Sequence, residues 1–269
     1  MPPTPTMPEL TAFDAVTQLV AAAVYLAVGA AALAQAPRDE RTRVFGAFGL
    51  VNAISLCIPA AAWSLGVKDP LAFGRIPLGV MLASLSVGAI LMFHFSQVFP
   101  ARRPWIRGSG MQLPIGYAIT PVVVLILVRW WPATEQEITT KFGLMFIVFG
   151  FPLMVLLGLV LPVASIVSFL RSLREARPAA APDPALRGSR PNARPVLAGI
   201  LLSQLAGGAL SLFVMGPLHV VAPDSIALVA VAVMVWLLGL LTPLAYAAGI
   251  WKYDVLSIGE ERSAEVKPD

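Results

Sequence analysis

The chain has 269 residues, of which 58% are hydrophobic and 13% charged, with a mean hydropathy of +0.80. Soluble domains hold nearer half apolar and a quarter charged residues, so this composition excludes an ordinary soluble protein and indicates an integral membrane protein. The net charge of +4 and pI near 9.6 are compatible with nucleic-acid binding until the basic residues are sorted by side of the membrane, and the one cysteine, Cys57, excludes an internal disulfide and clustered zinc sites.

Residues 1–11 are a proline-rich tail without lysine or arginine. The basic region of a cleavable signal peptide is missing, so the first apolar run is expected to stay in the mature protein. Apolar runs between charged or proline-rich breaks then predict seven helical spans, near 12–35, 44–65, 75–99, 112–131, 142–170, 196–217 and 225–250, each long enough for a hydrocarbon layer of roughly 30 Å. The alternation of a membrane barrel is absent, and unbroken apolar runs satisfy their backbone groups internally only as helices. The expected fold is all-α, a polytopic seven-helix bundle over 12–250, followed by a tail over 251–269.

Span 1 carries Asp14, Gln18 and Tyr25 on one stripe that starts at its outer face. An acidic residue near a span prompts a functional reading, although an interfacial Asp14 reaching water needs none. Span 2 adds Asn52 and Ser55 at mid-membrane, span 4 Thr120 and span 6 Gln204. Together these polar residues line a small pocket between helices, or else they stitch neighbouring helices together.

Span 3 ends in LMFHFSQVFPARRPW, with His94, Ser96 and Gln97 in its last turns and Arg102, Arg103 and Trp105 as anchors just beyond. His94 and Gln97, three apart, share a helix face. For His94 the plainer reading is a neutral imidazole bonded to a neighbouring helix; proton sensing or ligand contact is the other. The second histidine, His219, falls in an outer loop, so a haem held by two histidines in one leaflet is not expected. Pro152 and Pro162 in span 5 and Pro243 in span 7 should kink those helices. The proline-rich loop Ala176–Pro195 is expected to be extended and mobile, within a flexible connection over 171–195. In span 6, Gly199, Ser203, Gly207 and Ser211 recur every four residues, a groove for close helix packing, within the protein or against another copy.

Sorting the basic residues settles the expected direction. Fifteen fall on one side, among them Arg38, Arg41, Arg43, Arg171, Arg174 and Lys252, and only Lys68, Arg75, Arg129 and Lys141 on the other. Lysine and arginine resist translocation, so the amino terminus is expected outside and the carboxyl terminus in the cytoplasm. The same asymmetry accounts for the pI without nucleic acid. Tryptophans agree: Trp63, Trp130 and Trp131 fall at outer ends, Trp105 and Trp251 at inner ends, and only Trp236 lies deep. No lysine in span 7 offers a retinal attachment point, and no HExxH, P-loop, GxSxG or deep carboxylate pair is present, so neither a cofactor nor an enzymatic activity is expected.

Two stretches, HFSQVFPARRPW at His94 to Trp105 and PLAYAAGIWKYDVLSIGEE at Pro243 to Glu261, resemble parts of the amino-terminal seven-helix sensor region of bacterial membrane histidine kinases. The similarity extends over about 12–258. It implies a sensor-like module of the inner (plasma) membrane. About nineteen residues follow the last span, too few for an output domain, so signalling is expected to pass through a membrane or cytoplasmic partner. Trp251, Val255 and Ile258 give the tail an apolar stripe for the membrane surface or a partner helix. The competing expectations are an accessory subunit of a larger membrane complex and, behind it, a small transporter or channel.

Overall fold

The computed structural model describes residues 12–66, 75–100, 112–129, 151–175, 193–213 and 226–253, and every regular element among them is helical. Among the described residues seven helices follow in order: α1 (Ala12–Gln35), α2 (Glu40–Ser64), α3 (Arg75–Val98), α4 (Gln112–Arg129), α5 (151–175), α6 (193–213) and α7 (Ile226–Trp251). Six of them, all but α4, are long and apolar enough to cross a membrane; α4 has a shorter apolar stretch, Gly116–Ile126. The chain is a multi-pass helical membrane protein. Only 28% of the apolar window of α1 is buried within the protein, and Leu19, Leu26, Ile119, Leu125 and Leu237 stand exposed on the outer faces of their helices. Such faces are a liability in water and ordinary in lipid.

α1, α2, α3, α5, α6 and α7 form a ring in which each packs mainly on two neighbours, and α4 lies outside it against α3. The α1–α2 crossing is the tightest. A Cβ at Gly49 would come within 2.6 Å of the Tyr25 carbonyl oxygen and one at Gly29 within 3.3 Å of Gly46 Cα, so the two backbones touch.

At the end where α1, α3, α5 and α7 finish and α2 and α6 begin, the ring is filled by Phe45, Phe95, Phe99, Phe169 and Tyr246, all fully buried. Phe45 and Tyr246 lie 4.1 Å apart between ring centroids, and Phe95 stacks on Phe99 at 5.0 Å. This aromatic plug is the core of the molecule.

Several boundaries correct the sequence reading. α2 starts at Glu40 rather than 44, because Asp39 caps it by accepting from the Arg41 N–H and also pairs with the Arg41 side chain, so charge does not end the helix there. Both ends of the connection expected over 171–195 are helical: α5 runs on to Glu175 and α6 is helical from Ala193, with Pro195 in its first described turn, while the expectation for 176–192 lies outside the described residues. Pro162 does not simply kink α5. It lies just past a π-helical turn, Leu156–Val160, since its ring clashes with the preceding carbonyls and widens the helix. A second π turn, Ser203–Gly207, interrupts α6. α7 continues through Pro243, and Pro152 sits in the first helical turn described for α5.

Candidate functional site

Above the aromatic plug the ring encloses a cavity of about 320 Å³ to which all six helices contribute. Its polar lining is Tyr25 of α1, Asn52 of α2, Ser165 of α5, and Ser203 and Gln204 of α6; Phe48, Leu85, Met92 and Val235 supply apolar walls. Asn52 is twelve residues from either end of α2, about 18 Å along the axis, so the cavity lies near mid-membrane. No charged side chain lines it among the described residues.

Glycine makes this space. Gly88, Gly207, Gly208 and Gly239 all line it, and a Cβ added at Gly208 or Gly239 would meet nothing within 4 Å. Both of these glycines are exposed, so among the described residues no neighbouring helix covers the wall they form. The π turn of α6 falls on the same wall, bringing Ser203, Gln204 and Gly207 to the cavity. Wide turns of this kind recur at functional sites.

A proline explains one contact across the ring. Pro243 has no N–H for the carbonyl of Gly239, four residues back, and in hydrocarbon an unmatched carbonyl costs several kcal/mol. The Tyr25 hydroxyl donates to that oxygen at 3.1 Å, so α1 completes the backbone of α7 at the cavity wall. The device recurs below: Pro100 cannot bond the Ser96 carbonyl, and the Ser168 hydroxyl of α5 donates to it at 2.8 Å. Each proline thereby joins two helices.

The carboxamides in the wall are less completely matched. Asn52 donates through Nδ2 to the Phe48 carbonyl of its own helix, 2.8 Å away, which leaves its oxygen for the cavity. The Gln204 side chain makes no hydrogen bond among the described residues. Both residues are half-buried and leave amide atoms open to the cavity, so the site offers hydrogen-bond partners to an occupant.

The other residues singled out in the sequence are scattered around this centre. Ser55 is buried and returns its hydroxyl to the Asn52 carbonyl, and Thr120 is buried on α4, outside the ring. Gln18 is near the start of α1 with its buried Oε1 unmatched among the described residues. Asp14 belongs to α1, but its side chain lies outside the described residues, as do those of Arg102, Arg103, Trp105 and Ser211. Gly199, Ser203 and Gly207 face α7: a Cβ at Gly199 would stand 2.8 Å from Ala245 Cβ, Thr242 donates to the Ser203 hydroxyl at 2.9 Å, and Gly207 abuts Leu238. Trp251 and Lys252 are exposed at the end of α7. Deep Trp236 donates its indole N–H to the Thr17 carbonyl of α1 at 2.8 Å.

His94 and Gln97 occupy the rim of the plug rather than the cavity. His94 Nδ1 lies 2.9 Å from the Tyr117 hydroxyl, tying α4 to α3, and its Nε2 is 3.4 Å from the Glu40 carboxylate. Gln97 is buried and donates to the Ser96 hydroxyl. Sequence reading passed over Arg41 as one of many topology charges. It is buried, pairs through Nε and Nη2 with Asp39, and donates through Nη1 to the Pro100 carbonyl at 2.9 Å, closing α2 onto the end of α3. The nearby Asp39 and the proline-ended span 3 were the available signals. Tyr246, within the plug, has a buried hydroxyl with no partner among the described residues. No group of histidine, cysteine and carboxylate side chains able to hold a metal occurs among the described residues.

Compared with known proteins, the chain matches no family model, no curated protein and no solved structure.

Proposed function

We propose that the chain is the seven-helix input module of a membrane sensor, carried in a bacterial plasma membrane, that passes its signal to a partner rather than catalysing a reaction. The observation that carries this reading is the double role of α7. Its Val235 and Gly239 are cavity wall, its Tyr246 is the centre of the aromatic plug, and its Trp251 and Lys252 form the exposed exit. Any occupant that displaces Gly239 acts on a helix that continues through Pro243 to the exposed exit. The resemblance of His94–Trp105 and Pro243–Glu261 to kinase sensor regions supports the same reading, since Phe95 and Phe99 of the first stretch and Tyr246 of the second belong to this plug. With α4 as a seventh span and the basic residues held inside, the amino terminus is outside and the exit of α7 cytoplasmic.

The accessory-subunit reading drew on the small-residue stripe of α6. With Gly199, Ser203 and Gly207 engaged by α7, that reading retains only the scarcity of ionisable groups. Two measurements test the proposal. Compartment reporters fused to the two ends should report opposite sides; the same side for both overturns it. Purification in gentle detergent should recover a kinase, cyclase or regulator, lost when 251–269 is deleted; no such partner, with a neutral deletion, overturns the signalling role.

A further inference from the structure

We infer that the mid-membrane cavity binds one neutral amphipathic molecule drawn from the bilayer, of the long-chain alcohol type, with its hydroxyl held by Asn52 and Gln204. The inference deepens the sensor reading and rests on it for the purpose of binding, although the binding itself needs no partner.

Four features select this ligand class. The lining holds no charged side chain, so a carboxylate, phosphate or ammonium group would enter a mid-membrane site without a counter-ion. The oxygen of Asn52 and both ends of the Gln204 carboxamide have no partner among the described residues, so one accepts and the other accepts and donates. A hydroxyl, at once donor and acceptor, satisfies both. Leu85, Met92 and Val235 beside them offer an alkyl chain an apolar wall. Among the described residues nothing covers the wall at Gly239, midway along α7, or at Gly208, five residues before the last described residue of α6, so a molecule dissolved in the hydrocarbon can enter sideways there. The Tyr25–Gly239 hydrogen bond borders the same space. A bound hydroxyl can therefore also exchange with the tyrosine at the carbonyl that Pro243 exposes.

The test uses a diazirine-bearing long-chain primary alcohol as photoprobe, with the full chain in lipid nanodiscs and labelled residues mapped by mass spectrometry. The label should concentrate on 85–92, 203–208 and 235–239. Excess decanol should compete, decane should compete about tenfold less well, the ratio for one lost hydrogen bond, and decanoate less well still because its charge would be unpaired. The pair Asn52→Leu and Gln204→Leu should cut cavity labelling about tenfold. Gly208→Leu, whose side chain fills open space rather than meeting a neighbour, should abolish it while leaving labelling of the lipid-facing side of α4 at Ile119, Val122 and Leu125 unchanged. Labelling spread evenly over lipid-facing helices, equal competition by decane, or full labelling of the Gly208→Leu protein overturns the inference. Localised labelling without any recovered partner would sustain this site and remove the signalling role.

Discussion

The α1–α2 crossing is the place where one methyl group should do most damage. In Gly49→Ala the new Cβ would stand 2.6 Å from the Tyr25 carbonyl oxygen, a backbone atom that cannot rotate away. Reaching ordinary contact at 3.4 Å requires the helices to part by about 0.8 Å, and a gap of that size forfeits roughly a quarter to a half of the dispersion energy of each facing atom pair. The crossing has no slack: Gly29 sits against Gly46, and a Cβ at Gly46 would strike the Leu33 side chain. Overpacking of this kind costs about 1–3 kcal/mol, and the better helix propensity of alanine returns at most about 1 kcal/mol. A net loss of about 1–2 kcal/mol is expected. Reversible unfolding in mixed micelles of rising SDS fraction measures it, with Gly208→Ala as the comparator, because that Cβ meets nothing within 4 Å. Gly208→Ala should be neutral or stabilising. If Gly49→Ala proves as stable as Gly208→Ala, the backbone contact argued for this crossing is wrong.

Three further outcomes are open to the same assay. Arg41→Lys keeps the charge but cannot serve both Asp39 oxygens and the Pro100 carbonyl, so it should destabilise by about 1–3 kcal/mol; unchanged stability would mean that charge alone matters there. Tyr246→Phe removes a buried hydroxyl without a partner among the described residues and should be neutral or stabilising, whereas a loss above about 1 kcal/mol would reveal a bond to that oxygen. Tyr25→Phe leaves the Gly239 carbonyl unmatched and should cost about 1–3 kcal/mol. Pro243→Ala restores the missing N–H, so the double variant should lose less than the two single losses together; strict additivity would contradict the proline argument.

The apolar runs made the helices legible, and α1 closes at Gln35 before the turn that leads to Asp39. Boundaries failed where charges were locally compensated: Glu40 and Arg41 read as loop, yet the Asp39 cap and its ion pair carry α2 through them. Of the polar residues read as a possible pocket, Tyr25, Asn52 and Gln204 do meet around one cavity, because each sits near the middle of its helix. Ser55 has similar depth but the wrong rotation about the α2 axis, and Thr120 lies on α4, outside the ring; no single-helix pattern distinguishes these cases. The π turns were invisible in composition, and the one in α6 has no proline to announce it. Proline placement did contain a usable signal. The residue four before Pro243 or Pro100 is a carbonyl in need of a donor, and Tyr25 and Ser168 supply one from other helices. Which helix would supply it depended on the ring order, which only the fold reveals.

The central claim is that the cavity and the exit of α7 move as one body. Spin labels at Arg38→Cys and Lys252→Cys, both exposed at the plugged end of the bundle, on a Cys57→Ser background in nanodiscs, report the position of that exit by pulsed dipolar spectroscopy. Adding decanol should shift or narrow the distance distribution, and Gly239→Leu, which fills the cavity, should remove the response. Identical distributions with and without decanol, in a protein whose cavity is labelled by the photoprobe, would contradict the account.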